Sequence, residues 1–199
     1  MKKILLTGFE PFLMFKKNPT VEIAQYLNGK TIDEYEITSR ILTVDFNHSG
    51  QEMVKAIEEV KPNVVVALGL AGNRRHITPE RIAVNCNDGP EDNQGYKPSG
   101  EKIVDDGPDG YFSTLPIYEM VGIMKQHGYP ASISNSAGTY LCNHVMYQAL
   151  HYAKTTGLVD QAGFIHIPPS HEMAIEQPQL ASWSQTDLNN AIELCLSKL

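Results

Sequence analysis

The chain predicts an α/β fold: a single domain with an open, twisted, mostly parallel sheet and helices on both faces. Three observations carry this expectation. Apolar, strand-like runs alternate with helix-period segments along the chain. The run Val64 to Leu70 is continuous, apolar and β-branched, as expected of a strand buried on both faces. A length of 199 residues suits one domain, 1–199, better than two.

The elements follow in order. Ile4 to Leu6 is a short buried strand. Asn18-Pro19 opens a helix, with Asn18 a candidate N-cap and Pro19 at the first helical position. Ile23, Ala24 and Leu27 form its inner face, and Gly29 ends it. Ile37 to Val44 is a second strand. Ser49 to Lys61 is a helix, with Met53, Ile57 and Val60 at helical spacing, and Pro62 closes it. Val64 to Leu70 and the shorter Ile82 to Cys86 are strands. From Asn87 to Asp109 the chain turns to Asp, Gly, Pro and Asn, a long loop of the kind usually tied to function or mobility. Pro116 to His127 is a helix, Ala131 to Ser134 a strand, and Thr139 to Lys154 a helix. Ala162 to Ile167 is a strand, and a last helix runs from about Thr186 to Leu199.

Composition narrows the function classes. A domain this long buries roughly 70% of its unfolded surface and needs no disulfide or metal to fold. The net charge of −7 argues against nucleic acid or an anionic membrane as the main partner. The three cysteines, Cys86, Cys142 and Cys195, are few and widely spaced, which points to a reducing compartment, the cytoplasm. The N-terminal apolar run ends at Thr7, too soon for a signal peptide. No cofactor is implied. His144 and His151 share a helix face, but no metal-site spacing accompanies them, and Gly69 to Gly72 lacks the ending of a phosphate loop.

In a sheet of this type ligands bind beyond the carboxyl ends of the strands. That rule selects the segments after Leu6, Leu70, Ser134 and Ile165. Cys142 lies in the first turn of a helix, after Ala137-Gly138-Thr139, where free N–H groups and the helix dipole favour a thiolate and could hold an oxyanion. A buried, inert cysteine is the competing reading, and it is the one preferred for Cys86 and Cys195. His166 ends an apolar strand and faces either the core or the sheet's carboxyl edge. Glu80, in Thr78-Pro79-Glu80-Arg81, is by itself more readily a surface carboxylate paired with an arginine.

Five motifs carry a resemblance: LTGFEPF (5–12 with its neighbours), NPT (18–20), ITPERIAVN (77–85), SNSAGTYLCNHVMY (134–147) and FIHIP (164–168). In order and spacing the chain resembles the pyroglutamyl peptidase type I (pyrrolidone carboxyl peptidase) family over nearly its whole length. The resemblance implies a cofactor-free thiol protease of the cytoplasm, often a homotetramer, that removes N-terminal pyroglutamate from peptides. It implies Cys142 as nucleophile, His166 as base and Glu80 orienting that base. Phe9 and Phe12 become candidate walls for the lactam, joined by Leu70, Thr139 and Tyr140. Asn18 either caps its helix or lines the same pocket. The chain departs from the pattern at Leu13 and Met14, where two glycines are usual, and at Leu70, Asn73 and Pro90, where glutamine, glycine and a nearby arginine are usual. These departures keep open a Cys-His amidase acting on another small cyclic or capped amide, and a non-catalytic binding protein on the same fold.

Overall fold

The computed structural model describes residues 1–13 and 15–199. β1 (Lys2–Phe9) is followed by α1 (Pro19–Leu27), the hairpin strands β2 (Thr31–Ile32) and β3 (Tyr35–Leu42), α2 (Ser49–Val60) and β4 (Val64–Leu70). Short strands come next: β5 (Thr78–Pro79), β6 (Ile82–Val84), β7 (Asn87–Asp88), β8 (Ser99–Glu101) and β9 (Gly110–Phe112). The chain ends with α3 (Ile117–Gln126), α4 (Leu141–Thr156), β10 (Gln161–Ile167), α5 (His171–Glu176) and α6 (Gln185–Leu196). Among the described residues no helix is long and apolar enough to cross a membrane.

The main sheet has the order β2-β3-β1-β4-β10-β5. Its three central pairings are parallel, and both edge pairings, β2 with β3 and β5 with β10, are antiparallel. Alternation by two residues splits the core into two layers. Ile4, Leu6, Val64, Val66 and Leu68 face α1, α3 and α6, whereas Leu5, Phe9, Val65 and Ala67 face α2 and α4. All seven residues of β4 are buried. Each large apolar side chain there contributes about 2 kcal/mol or more by leaving water.

Most expected elements are present with ends moved by a few residues. Asn18 caps α1 by accepting from the Thr20 N–H, with Pro19 in the first turn. Lys61 closes α2 in the left-handed region, because the residue before Pro62 is disfavoured in the helical one. Gly157 does the same for α4 at φ 68°.

One element differs. Ala131 to Ser134 is not a strand of the main sheet but makes only isolated parallel bridges, Ala131 with Ile77 and Ser134 with Glu80. The cause is Pro79. Ile77 N–H donates to Pro130, Ser132 N–H to Ile77, Ser134 N–H to Pro79 and Arg81 N–H to Ser134. The missing member of that parallel ladder is the N–H that Pro79 does not have. The strands β2, β5 and β9 and the six-residue α5 were too short to show a period in the sequence.

The long loop from Asn87 to Asp109 is ordered by buried side chains. Asn85 accepts from the Ile103 and Val104 N–H groups and donates to the Val104 and Gly107 carbonyls. The Tyr147 hydroxyl donates to Pro108 O at 2.7 Å. The β7–β8 ribbon lies inside the loop.

Candidate active site

The site forms at the carboxyl end of the sheet, where β4, β10 and the start of α4 converge. Gly69 of β4 is the register partner of His166 on β10. A side chain on Gly69 would place its Cβ 2.8 Å from Cys142 Sγ and 2.5 Å from the Phe164 ring. The sulfur therefore rests on Gly69, one strand away from the histidine. Cys142 and His166 line the same cleft of about 340 Å³, together with Arg74 and the turn Ser136-Ala137-Gly138. Gly69→Ala is expected to leave the chain folded but to displace the thiol, lowering kcat about a hundredfold. Steady-state kinetics beside a thermal melt checks this.

Antiparallel pairing of β5 with β10 brings in the carboxylate. Thr78 pairs with His166, Pro79 with Ile165, and the Glu80 N–H donates to Phe164 O at 2.9 Å. Glu80 is thereby carried into the interior, 0% exposed, rather than left at the surface. Its Oε1 accepts from His166 Nδ1 at 2.7 Å and from Arg74 Nη1 at 2.6 Å. An ionised carboxylate can only accept, so Nδ1 carries the ring proton and Nε2 keeps its lone pair. The surface pairing with an arginine that the sequence favoured is replaced by a buried one, with Arg74 as the partner inside the site.

Cys142 is the second residue of α4. No side chain caps this helix, so its first-turn N–H groups remain available near the sulfur. Asn143, the next residue, accepts from Val84 N–H at 2.8 Å and donates to Val84 O and Cys86 O. It fixes the start of α4 to β6.

Electrostatics correct one expectation. Burial pushes the Cys142 thiol up to about 12, with the Glu80 charge acting in the same direction and Arg74 and the residue's own N–H opposing. Burial lowers His166 against the pull of Glu80. Desolvation thus outweighs the helix end and favours the uncharged thiol and the uncharged imidazole. Alkylation of Cys142 by iodoacetamide is accordingly expected to keep rising beyond pH 8. A rate already on a plateau at pH 6 would mean that a resting thiolate–imidazolium pair exists.

The apolar part of the cleft is walled by Phe9, Phe12, Val44, Leu70, Tyr140, Leu141 and Cys142. Four of the sequence candidates, Phe9, Phe12, Leu70 and Tyr140, therefore meet at the sulfur. The other two do other work. Asn18 lies outside the cleft: its Oδ1 accepts from the Thr20 N–H and hydroxyl, and its Nδ2 donates to Glu10 O. The Thr139 hydroxyl donates to Asp88 O at 3.0 Å, and the Tyr140 hydroxyl to Glu91 O, so both tie the long loop to the site.

Two of the departures from the family pattern line this cleft. Leu70 is an apolar wall and Asn73 lines the open side. Leu13 is 55% exposed at φ 52°, a conformation glycine adopts without strain. Met14 lies outside the described residues. His144 and His151 are separate, the first bonded to Asn87 Oδ1 and the second to the Tyr111 hydroxyl. Cys195 is in the core, and Cys86 is half-buried just beyond β6. Sequence reasoning gave no role to Gly69, Arg74 or Asn143. The six-residue separation of Arg74 from Glu80 was the only local signal for any of them.

Comparison with known proteins identifies the family. The family model described as pyroglutamyl peptidase matches residues 2–196. The chain is 55% identical over 199 residues to the pyrrolidone-carboxylate peptidase of Oceanobacillus iheyensis, covering 100% of both chains. It is 47% identical to that of Halalkalibacterium halodurans, with 98% of each covered. The solved pyrrolidone carboxyl peptidase from Thermococcus litoralis superposes with a TM-score of 0.95 at 42% identity, covering 98% of this chain and 92% of that one. Bacillus amyloliquefaciens pyroglutamyl peptidase I does so with a TM-score of 0.95 at 35% identity, covering 100% and 96%. With its sequence matched over nearly its whole length and its fold superposing on solved members, the chain belongs to the pyroglutamyl peptidase family, a family of cysteine peptidases.

Proposed function

We propose that this chain removes an N-terminal pyroglutamyl residue from peptides, with Cys142 as nucleophile, His166 as general base and acid, and Glu80 orienting His166. The observation that carries the reading is the buried Glu80–His166 hydrogen bond of 2.7 Å beside a cysteine at an uncapped helix start, in a cleft with apolar walls. His166 Nε2 takes the Sγ proton as sulfur attacks the carbonyl that joins pyroglutamate to the next residue. First-turn N–H groups of α4 hold the oxyanion, worth about 3 kcal/mol per good donor. The C–N bond then breaks, His166 returns the proton to the leaving amine, and a water deprotonated by His166 hydrolyses the thioester to free pyroglutamate. Phe9, Phe12 and Leu70 offer apolar walls to a small, uncharged lactam.

The same reading places the enzyme in the cytoplasm, in keeping with three unpaired cysteines. Its assembly as a homotetramer rests on the family resemblance, and sedimentation equilibrium tests it. The activity is tested by release of a fluorescent amine from pyroglutamyl, prolyl and acetyl amides, with EDTA as a control. Preference for the pyroglutamyl amide, unaffected by EDTA, is the expected result. Faster cleavage of either of the other two would replace the substrate assignment with that of a different small-amide hydrolase.

A further inference from the structure

We propose that Arg74 is a positioning residue of this site: its guanidinium holds the Glu80 carboxylate as acceptor of the His166 ring and ties that pair to the turn leading into Cys142. The inference rests on the catalytic roles just proposed. Arg74 follows the tight turn after β4, its N–H donating to Ala71 O at 3.0 Å. From there its side chain reaches three elements. Nη1 donates to Glu80 Oε1 at 2.6 Å and also to the Thr78 hydroxyl, and Nη2 donates to Ser136 O at 3.2 Å. One planar group thus joins β5, the acid and the Ser136-Ala137-Gly138 turn, a geometry lysine cannot copy.

The need for this group is electrostatic. Glu80 is fully buried, and among the described residues its Oε2 has no hydrogen-bond partner. Such a carboxylate needs a facing cation to offset the loss of its hydration. The guanidinium on Oε1 fixes that oxygen against the Nδ1 proton and so sets the direction of the ring. Arg74, with 23% of its side chain exposed, keeps its own contact with water while supplying that charge.

The charged and titratable groups around the guanidinium are Glu80 from the segment after β5, His166 from β10, and Cys142 and Tyr140 from the start of α4, with Asp92 beyond Tyr140. Arg81 is engaged elsewhere, donating to Asn135 and Tyr118. Arg74 opposes protonation of both His166 and Cys142. Its removal therefore lets His166 hold a proton to higher pH and makes Cys142 release its proton later.

The test compares wild type, Arg74→Met and Arg74→Lys in the hydrolysis of a pyroglutamyl amide across pH. For R74M, kcat is expected to fall about a hundredfold with KM changed little, and both limbs of the pH profile to move to higher pH. R74K, which keeps the charge without the fork, is expected to keep both limbs in place and to recover part of kcat. An R74M enzyme with wild-type kcat, or with lowered kcat and unmoved limbs, overturns the proposal, because a purely structural arginine would change only the height of the profile. If R74M does not fold, R74K decides: lowered kcat with limbs in place supports the proposal, and unchanged kcat overturns it. If the wild type itself fails to cleave the amide, the substrate assignment has failed instead. The pH dependence of Cys142 alkylation by iodoacetamide, which needs no substrate, then reads the same electrostatics: an inflection that moves up in R74M supports the proposal, and one that stays put overturns it.

Discussion

Cys142→Ala is expected to lower kcat toward pyroglutamyl amides by about 10⁵-fold while leaving the fold intact. The magnitude follows from the chemistry removed. Without sulfur there is no acyl-enzyme, and the N–H groups of α4 and the apolar walls can supply only the residual catalysis of positioning and oxyanion binding, about 10³-fold over water. The fold should tolerate the change because the loss is one sulfur atom on a helix held by Asn143 and by the core residues Val145, Met146 and Leu150. Cys142→Ser tests the nucleophile more narrowly. It keeps a proton-bearing atom in place, yet a hydroxyl is much harder to deprotonate than a thiol, and the same neutral His166 has to remove that proton. The measurement is amine release, beside circular dichroism to verify folding. Alanine activity within tenfold of wild type would sink the cysteine mechanism and favour a water-based one.

Glu80→Gln carries the second largest expected effect, a loss of about 10³- to 10⁴-fold in kcat with a smaller change in KM. The substitution preserves volume in a site with no room to spare, so packing is not the cause. What is lost is the obligate acceptor. The carboxylate accepts from both Arg74 and His166 Nδ1 on the same oxygen, and it has nothing to donate. An amide has donors as well, and when its NH₂ faces the imidazole the ring places its proton on Nε2, where it cannot accept from Cys142. The comparable loss in serine proteases with a neutralised triad acid is about 10⁴-fold. Glutamine also leaves Arg74 without its anion, so His166 becomes harder to protonate. Since protonation of His166 accompanies attack, kcat and not KM bears the effect. Equal activity of E80Q and wild type across pH would remove Glu80 from the proposed machinery and leave it as a structural ion pair.

Much of the site was legible because its residues occur in continuous motifs. The helix start at Tyr140-Leu141-Cys142 and the strand end at His166 follow from local patterns, and the rule for α/β sheets brings both to one edge. Glu80 was not legible from its own neighbourhood: a glutamate between a proline and an arginine looks like a surface group. It is buried because β5 pairs antiparallel with β10, a contact spanning 86 residues that no local period encodes. The same holds for Gly69, whose missing side chain matters only because Cys142 is packed against it. Residues 131–134 show the opposite error. Their alternation suggested a strand, and the proline across from them removed the hydrogen bond needed to complete one.

By itself the sequence determined the α/β class, the parallel core strands, the helices and which cysteine is the candidate nucleophile, because each depends on side-chain periodicity or on residues adjacent in the chain. The tertiary structure alone decided that Glu80 is buried, that Arg74 faces it, that Asn18 and Thr139 serve the scaffold while Leu70 walls the cleft, and that burial works against charge on the thiol and the imidazole. Those outcomes depend on desolvation and on distances between groups far apart in sequence, and both come into being only when the sheet edges close around the site.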